Sequence, residues 1–343
     1  MKKVLYLGWI GFKNLGDELL WELFKHHFEQ AYDAAEAELI PSVPGVQLKD
    51  MTEYDTVVLG GGSLLIPGYI DLAYQAYTAG KKVCVWGTGF DCMHSPYAIA
   101  PGWLEPAAAS KLKEVMEGSV YFGIRGPLTQ KVLQTSGVPV TQEMISGDPA
   151  VLLPQPKHPS GALPGKIAIN WGTTYNKLFG RNEHRVEDEV VSAAKGWIEQ
   201  GWSIYLYPVW GPDRAPIQRV AEKIGDSSKL EVEQELLGTE PLIERLASCH
   251  FSVNFKLHAN LLSYAADVPF IALGYRFKCF DFGESAGLGH YVISTGESDL
   301  SERLQKKGDF LLEYRDDYIR KIRDHREQFS PRLTIPFDQK LLV

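Results

Sequence analysis

Short runs of β-branched and apolar residues alternate with longer amphipathic stretches, and that alternation restricts the fold more than any other feature of the chain. VLYL (4–7), TVVL (56–59), KVCVW (82–86) and VYFGI (120–124) have the length and the bounding glycine or polar residues of buried strands. Between the first two, Leu19, Leu20, Leu23, Phe24, His27 and Phe28 fall at helical spacing. Strand, loop, helix and strand in this order build a parallel sheet with helices on both faces. Residues 151–166, VLLPQPKHPSGALPGK, then interrupt the pattern with four prolines and two glycines, and hold neither helix nor strand for long.

After the break the alternation restarts. KIAIN (166–170), a helix from about Val186 to Gln200 and SIYLY (203–207) come first. Helices from about Ala215 and from Pro241 to Cys249, FSVN (251–254), a helix from Lys256 to Ala266 and FIAL (270–273) follow. The expected architecture is α/β, with two Rossmann-like doubly wound domains facing across a cleft. Residues 1–152 and 167–308 form the domains, 153–166 the Pro-rich linker, and 309–343 a C-terminal helix and tail. In the last helix Leu311, Tyr314, Tyr318 and Ile322 make one apolar stripe.

A chain of 343 residues suits two domains, and 45% apolar with 23% charged residues suits buried cores. Lys and Arg number 35 against 43 Asp and Glu, a formal net charge of −8 with no long basic run. That balance argues against a nucleic-acid partner and leaves room for a local pocket for a small anion. Cys84, Cys92, Cys249 and Cys279 show neither CxxC spacing nor dense pairing, as expected of reduced thiols in the cytoplasm. The nine histidines never form HxH or HExxH, so no metal is expected. The opening MKKVLYLGWIGF reaches Asn14, Asp17 and Glu18 too soon for a signal peptide. No stretch approaches the ~20 apolar residues of a membrane span.

In open α/β sheets ligands bind beyond the carboxyl ends of the strands, where this chain's unusual residues collect. The first loop runs from Gly8 through Gly11, Asn14 and Gly16 to Asp17 and Glu18. It is not GxGxxG, and no glycine precedes Lys-Ser or Lys-Thr, which weakens dinucleotide and Walker-type readings. Asp17 and Glu18 in a first helical turn satisfy the dipole and repel phosphate; they are either part of a helix cap or acceptors for sugar hydroxyls. Gly60, Gly61, Gly62 and Ser63 follow TVVL, marking a tight turn or the close approach of a ligand. Asn254, Lys256 and His258 open a late helix, as an anion and proton-transfer site or as surface side chains. Arg276 and Lys278 after FIAL, and Arg125 after VYFGI, add to the same basic pocket or stay solvated. Residues 171–185 set Lys177, Arg181, His184 and Arg185 beside Trp171, Tyr175 and Phe179, in an exposed loop or around a sugar or phosphate.

Taken in order, the GxxGxxNxGDE loop, GGGSLL, Arg125, Asp148-Pro149-Ala150, the Leu257-His258 pair and Tyr275-x-x-Lys278 resemble the polysaccharide pyruvyl transferase family over roughly residues 5–285. The resemblance implies a GT-B-like fold, with the acceptor on the N-terminal side and the donor on the C-terminal side. It also implies a transferase that moves pyruvate from phosphoenolpyruvate onto two hydroxyls of a sugar as a ketal. The family's Arg-Leu-His triplet serves phosphoenolpyruvate recognition and catalysis; here its first position is Lys256. Lys keeps the charge but loses the bidentate fork.

On this reading His258 is the acid–base group, and Lys256 its catalytic neighbour. Arg125, Arg276, Lys278 and Asn254 bind the donor, while Asn14, Asp17, Glu18, Gly60, Gly61, Gly62 and Ser63 meet the acceptor. The expected partners are phosphoenolpyruvate and a saccharide, free or lipid-linked, with no cofactor beyond this co-substrate and only peripheral contact with a membrane. Two other readings stand beside it: a glycosyltransferase of related fold using a nucleotide sugar, and a non-catalytic carbohydrate-binding relative.

Overall fold

A computed structural model describes residues 1–12, 14–157, 165–225 and 227–343. The chain divides into two compact units, Met1–Leu152 with Arg326–Val343, and Leu153–His325. Residues 158–164 of the Pro-rich segment lie outside the described residues.

The first unit runs β1 (Lys2–Leu7), α1 (Leu15–Ala31), β2 (Ala37–Pro41), β3 (Thr56–Leu59), α2 (Pro67–Thr78), β4 (Lys82–Thr88), α3 (Pro106–Gly118), β5 (Tyr121–Ile124) and α4 (Pro127–Thr135). Its five strands pair in the order 2-1-3-4-5, all parallel. The order reverses between β1 and β3, a switch point where open sheets bind ligands. Val57, Val58, Leu59, Val83, Val85 and Trp86 are fully buried, which is why these strands read as continuous apolar runs rather than alternating ones.

The second unit runs β6 (Lys166–Asn170), α5 (Glu183–Glu199), β7 (Ser203–Tyr207), α6 (Arg214–Ile224), β8 (Leu230–Val232), α7 (Thr239–Ala247), β9 (Phe251–Asn254), α8 (Leu257–Ala265), β10 (Phe270–Gly274), α9 (Phe277–Ser285) and β11 (Val292–Ser294). Its parallel ladder is β8-β7-β6-β9-β10-β11. Counted from its own first strand this is the 3-2-1-4-5-6 order of the Rossmann fold, with the switch point between β6 and β9.

The C-terminal segment departs from the single helix expected around 309–328. It is two helices, α10 (Leu300–Glu313) and α11 (Arg315–Asp338), that meet at Tyr314. Asp316 and Asp317 restart the second helix with the acidic first turn its dipole favours. Leu311, Tyr318 and Ile322 are buried as the stripe requires, whereas Tyr314 is exposed. From Arg326 onward the chain belongs to the first unit. There Phe337 packs edge-on against Phe24 and Trp86, with ring centroids 5.1 and 5.9 Å apart. The Trp86 indole donates to the Leu333 carbonyl at 2.9 Å. Such ring pairs add about 0.5–1.5 kcal/mol each beyond the area they bury, so the tail is part of that core.

Candidate functional site

At the switch point of the first sheet, the loop after β1 is fastened to the start of α1. Asn14 caps the helix, its side-chain oxygen accepting the Gly16 amide at 3.3 Å. Glu18 folds back so that Oε1 accepts the Gly11 amide at 2.7 Å. Gly11 has φ +88°, and a Cβ there would fall 2.8 Å from Pro44 Cδ. Asp17 is half-buried and aims at the second loop, its Oδ1 lying 3.5 Å from where a Gly62 Cβ would stand. Trp9 and Phe12, 49% and 47% exposed, stack on each other with centroids 4.4 Å apart. The Tyr69 hydroxyl, from α2, donates to the Gly8 carbonyl beside them at 3.4 Å.

The glycine loop owes its composition to packing from behind. A Cβ on Gly60 would lie 2.2 Å from Tyr6 Cζ, and one on Gly61 would lie 2.8 Å from Pro149 Cγ. Gly62 has φ +102°, a region other residues rarely enter. Burial, with Asp17 and Asp148 nearby, pushes the Tyr6 phenol well above its usual range and keeps it neutral.

Arg125, expected on the donor side, is fully buried within the first unit. Nη1 donates to the Gly62 carbonyl and to Ser63 Oγ, both at 3.2 Å, and Nη2 to the Phe90 carbonyl at 2.9 Å. The guanidinium braces the loop that follows β3. Gly60, Gly61 and Gly62 are buried too, which leaves Ser63 as the half-buried member of that group.

The second switch point holds a denser arrangement. Asn170, the last residue of β6, stands opposite Asn254 in register and is fully buried. Its Oδ1 accepts the Lys256 amide at 3.0 Å, and its Nδ2 donates to the Tyr207 carbonyl at 3.0 Å. Asn254, expected on the donor side, is fully buried. Its Nδ2 donates to Ser252 Oγ and Ser263 Oγ, both at 3.0 Å, and to the Ala259 carbonyl at 3.2 Å, while its Oδ1 accepts the Tyr207 hydroxyl at 2.8 Å. These bonds order the ends of β7 and β9.

Lys256 is the N-cap of α8, with its side chain only 12% exposed. Nζ donates to the Thr173 carbonyl, stands 3.4 Å from Asp213 Oδ1, and lies 5.2 Å from the Trp210 ring centroid and 5.5 Å from that of Phe255. Asp213, just before α6, is fully buried and also accepts the Thr173 amide at 3.0 Å. Burial pushes the Asp213 carboxyl above its usual range against the pull of Lys256. Burial likewise pushes the Lys256 ammonium down, with Asp213 opposing and Lys278 adding to the fall. The strand carrying Lys256 and His258 at its end neighbours β10, whose end carries Arg276 and Lys278. Lys278 lies 5.6 Å from the Tyr275 ring centroid, and Arg276 caps α9. His258 sits in the first turn of α8, half-buried.

The loop 171–185 divides. Lys177, Arg181 and His184 are exposed, whereas Arg185 donates to the Glu297 carbonyl at 2.7 Å and to the Thr295 carbonyl. Trp171 is buried, its indole donating to Glu187 at 3.1 Å. Among the described residues no group of three or more His, Cys, Asp or Glu side chains is arranged to hold a metal ion. Nor is any helix among them long and apolar enough to cross a membrane.

The family model for polysaccharide pyruvyl transferase matches residues 14–276. The chain belongs to the polysaccharide pyruvyl transferase family. It is thus a transferase, and the match covers the second switch point and, from Asn14 onward, the elements that follow β1 in the first unit. No protein among those with curated descriptions matches it. Solved structures share its fold at low identity. The S. aureus MnaA–UDP co-structure aligns with TM-score 0.63 and 12% identity over 99% of this chain and 98% of that one. The UDP-GlcNAc 2-epimerase of Neisseria meningitidis, bound to UDP-GlcNAc, gives 0.55 and 10% over 99% and 100%. The spinosyn rhamnosyltransferase SpnG gives 0.55 and 10% over the same shares. The chain therefore has the GT-B architecture of two parallel-sheet α/β units.

Sequence reasoning missed Asn170, Thr173, Trp210 and Asp213. The first is the last residue of KIAIN and the last ends the WGPD turn after SIYLY. Their place at strand ends was the available signal. What pairs Asp213 with Lys256, 43 positions on by number, is strand order, which the pattern alone does not supply.

Proposed function

We propose that the chain transfers pyruvate from phosphoenolpyruvate to two hydroxyls of one sugar residue, within a cell-surface polysaccharide or its precursor, and releases phosphate. The observation that carries this reading is the pair of lysines, Lys256 and Lys278, which open the helices after the neighbouring strands β9 and β10, with His258 in the same helix turn as Lys256. The donor has a phosphate and a carboxylate, and both need cations. Its C3 carbon needs a proton, and His258 is the group suited to deliver it near neutral pH.

Protonation of C3 leaves an oxocarbenium-like C2. The first sugar hydroxyl adds there and loses its proton to a base, phosphate departs, and the second hydroxyl adds and loses its own proton, closing the ketal. Phosphoenolpyruvate and a diol thus give ketal and phosphate, with no net change in oxidation state. Lys256, Lys278 and Arg276 hold the donor. Asn14, Asp17, Glu18 and Ser63 take the acceptor's hydroxyls, and the stacked Trp9 and Phe12 offer a flat apolar face to the C–H side of a pyranose. That mixture of acceptors and exposed rings supports a saccharide over a purely charged ligand.

Incubation with phosphoenolpyruvate and a panel of galactosides, mannosides and N-acetylmannosaminides tests it. Phosphate release with a mass gain on the sugar is the expected result, reduced ~100-fold or more in His258→Ala. A second reading draws on the fold neighbours whose solved complexes hold UDP or UDP-GlcNAc. Nucleotide release from sugar nucleotides, with phosphoenolpyruvate inert, would establish glycosyl transfer instead. Activity with neither donor would leave a saccharide-binding relative.

A further inference from the structure

The proposed chemistry makes no use of the one fully buried carboxylate beside its principal cation. Asp213 closes the turn after β7 and accepts the Thr173 amide at 3.0 Å through Oδ1. The same oxygen stands 3.4 Å from Lys256 Nζ. Its Oδ2 is buried with no hydrogen-bond partner among the described residues. The chain makes room for it: a Cβ on Gly172 would fall 2.0 Å from Oδ1. A buried carboxylate with one idle oxygen is costly to a fold and stabilises little. Its place 3.4 Å from a lysine whose side chain is only 12% exposed calls for another role.

We propose that Asp213 is a positioning residue, which fixes the Lys256 ammonium at the switch point of the second sheet and keeps it cationic there for an anionic ligand. Three observations argue for it. Lys256 lies under Trp210 and against Phe255, with 12% of its side chain exposed, so little water reaches the charge. In such a setting an amine tends to lose its proton unless an opposite charge holds it. The charged groups that face it are Asp213 from the turn before α6, Glu183 from the start of α5 and Lys278 from α9, the last opposing the other two. Glu183 is occupied by Thr173 Oγ1 at 2.9 Å and Thr174 Oγ1 at 2.6 Å, which leaves Asp213 as the direct partner. An arginine at this position would need no such help, because a guanidinium stays charged at any working pH.

The test uses wild type, Asp213→Asn, Lys256→Arg and the double variant, with Asp213→Ser alongside because it is small and still accepts the Thr173 amide. The first readout is independent of the donor: the rate at which an amine-specific reagent modifies Lys256, followed by peptide mass spectrometry from pH 6 to 11. The midpoint should fall by about one pH unit or more in both neutral variants, the scale set by losing an opposite charge at this distance. The second readout is the KM for phosphoenolpyruvate over the same range, and this arm rests on the function proposed above. KM should climb at lower pH in Asp213→Asn than in wild type, and Lys256→Arg in the same chain should flatten the profile again. A purely structural role for Asp213 would move neither midpoint nor profile. An unchanged midpoint in both neutral variants overturns the inference. A shifted midpoint with no phosphoenolpyruvate binding by any of the proteins sustains it and overturns the donor.

Discussion

The Asn170 side-chain oxygen accepts the backbone amide of Lys256 at 3.0 Å, so the last residue of β6 sets where the neighbouring strand's cation enters its helix. Nδ2 of the Asn170 side chain donates to the Tyr207 carbonyl at 3.0 Å. Asn170→Ala takes the side-chain partner from the buried Tyr207 carbonyl and the part-buried Lys256 amide, at about 1–3 kcal/mol each. Equilibrium urea unfolding should show a loss of roughly 2–6 kcal/mol from the two together. A variant as stable as wild type would mean that the strand ends are held by something else.

Arg125 offers the opposite contrast, between a ligand-binding cation and a brace. Its bonds to Gly62, Ser63 and Phe90 are internal to the first unit. Arg125→Met should lower stability by roughly 3 kcal/mol, the scale for stranding several buried acceptors. The folded fraction should bind phosphoenolpyruvate as wild type does. If instead stability holds and donor binding is lost, the arginine belongs to the ligand after all.

These two residues mark how far the sequence could be read. Strand and helix periodicity is local, and the runs TVVL, KVCVW, KIAIN and FSVN each became a strand at the expected place. Position beyond a strand's carboxyl end was equally legible, and it brought Lys256, His258, Arg276 and Lys278 into view. What such position does not reveal is the direction a side chain takes. Arg125 and Lys256 both follow strands, yet one turns under the glycine loop and the other lies 3.4 Å from Asp213. Asn254 reads as a free strand-end amide until Tyr207, 47 positions away, is seen to donate to it. The three glycines read equally as a tight turn or as a ligand's approach, and the sequence does not show that Tyr6 and Pro149 press on them. In each case a partner distant in sequence decides, and parallel strands bring such partners together only through the sheet order.

Glu187 carries a pH dependence whose sign is set by its neighbours. Burial alone would raise its carboxyl, but Lys223 at 2.8 Å, Arg219 at 2.9 Å and the Trp171 indole at 3.1 Å outweigh it and hold the group below its usual range. A carboxylate depressed in the folded state stabilises fully above its unfolded value of about 4.3 and loses that contribution as pH falls through the folded value. Thermal unfolding from pH 7 to pH 3 should therefore show wild type more stable than Glu187→Gln at neutral pH, with the two curves converging in acid. Parallel curves would mean that the three donors do not favour the charged form.

Trp9 is the residue through which the acceptor side can be tested without disturbing the fold. Its ring is 49% exposed and stacks on Phe12, itself 47% exposed, so neither belongs to the core. The loop that carries them is held by the Glu18 bond to the Gly11 amide and not by the rings. Trp9→Ala should then leave the unfolding midpoint within the ~0.5 kcal/mol typical of surface changes. If a pyranose face rests on this stack, the KM for the saccharide should rise about 5–10-fold, equivalent to the ~1–1.4 kcal/mol of one ring contact. The KM for phosphoenolpyruvate should stay as it is, because the proposed donor residues lie on the other sheet. A rise in both constants would point to a general loss of order in the loop, and no rise in either would move the saccharide away from Trp9.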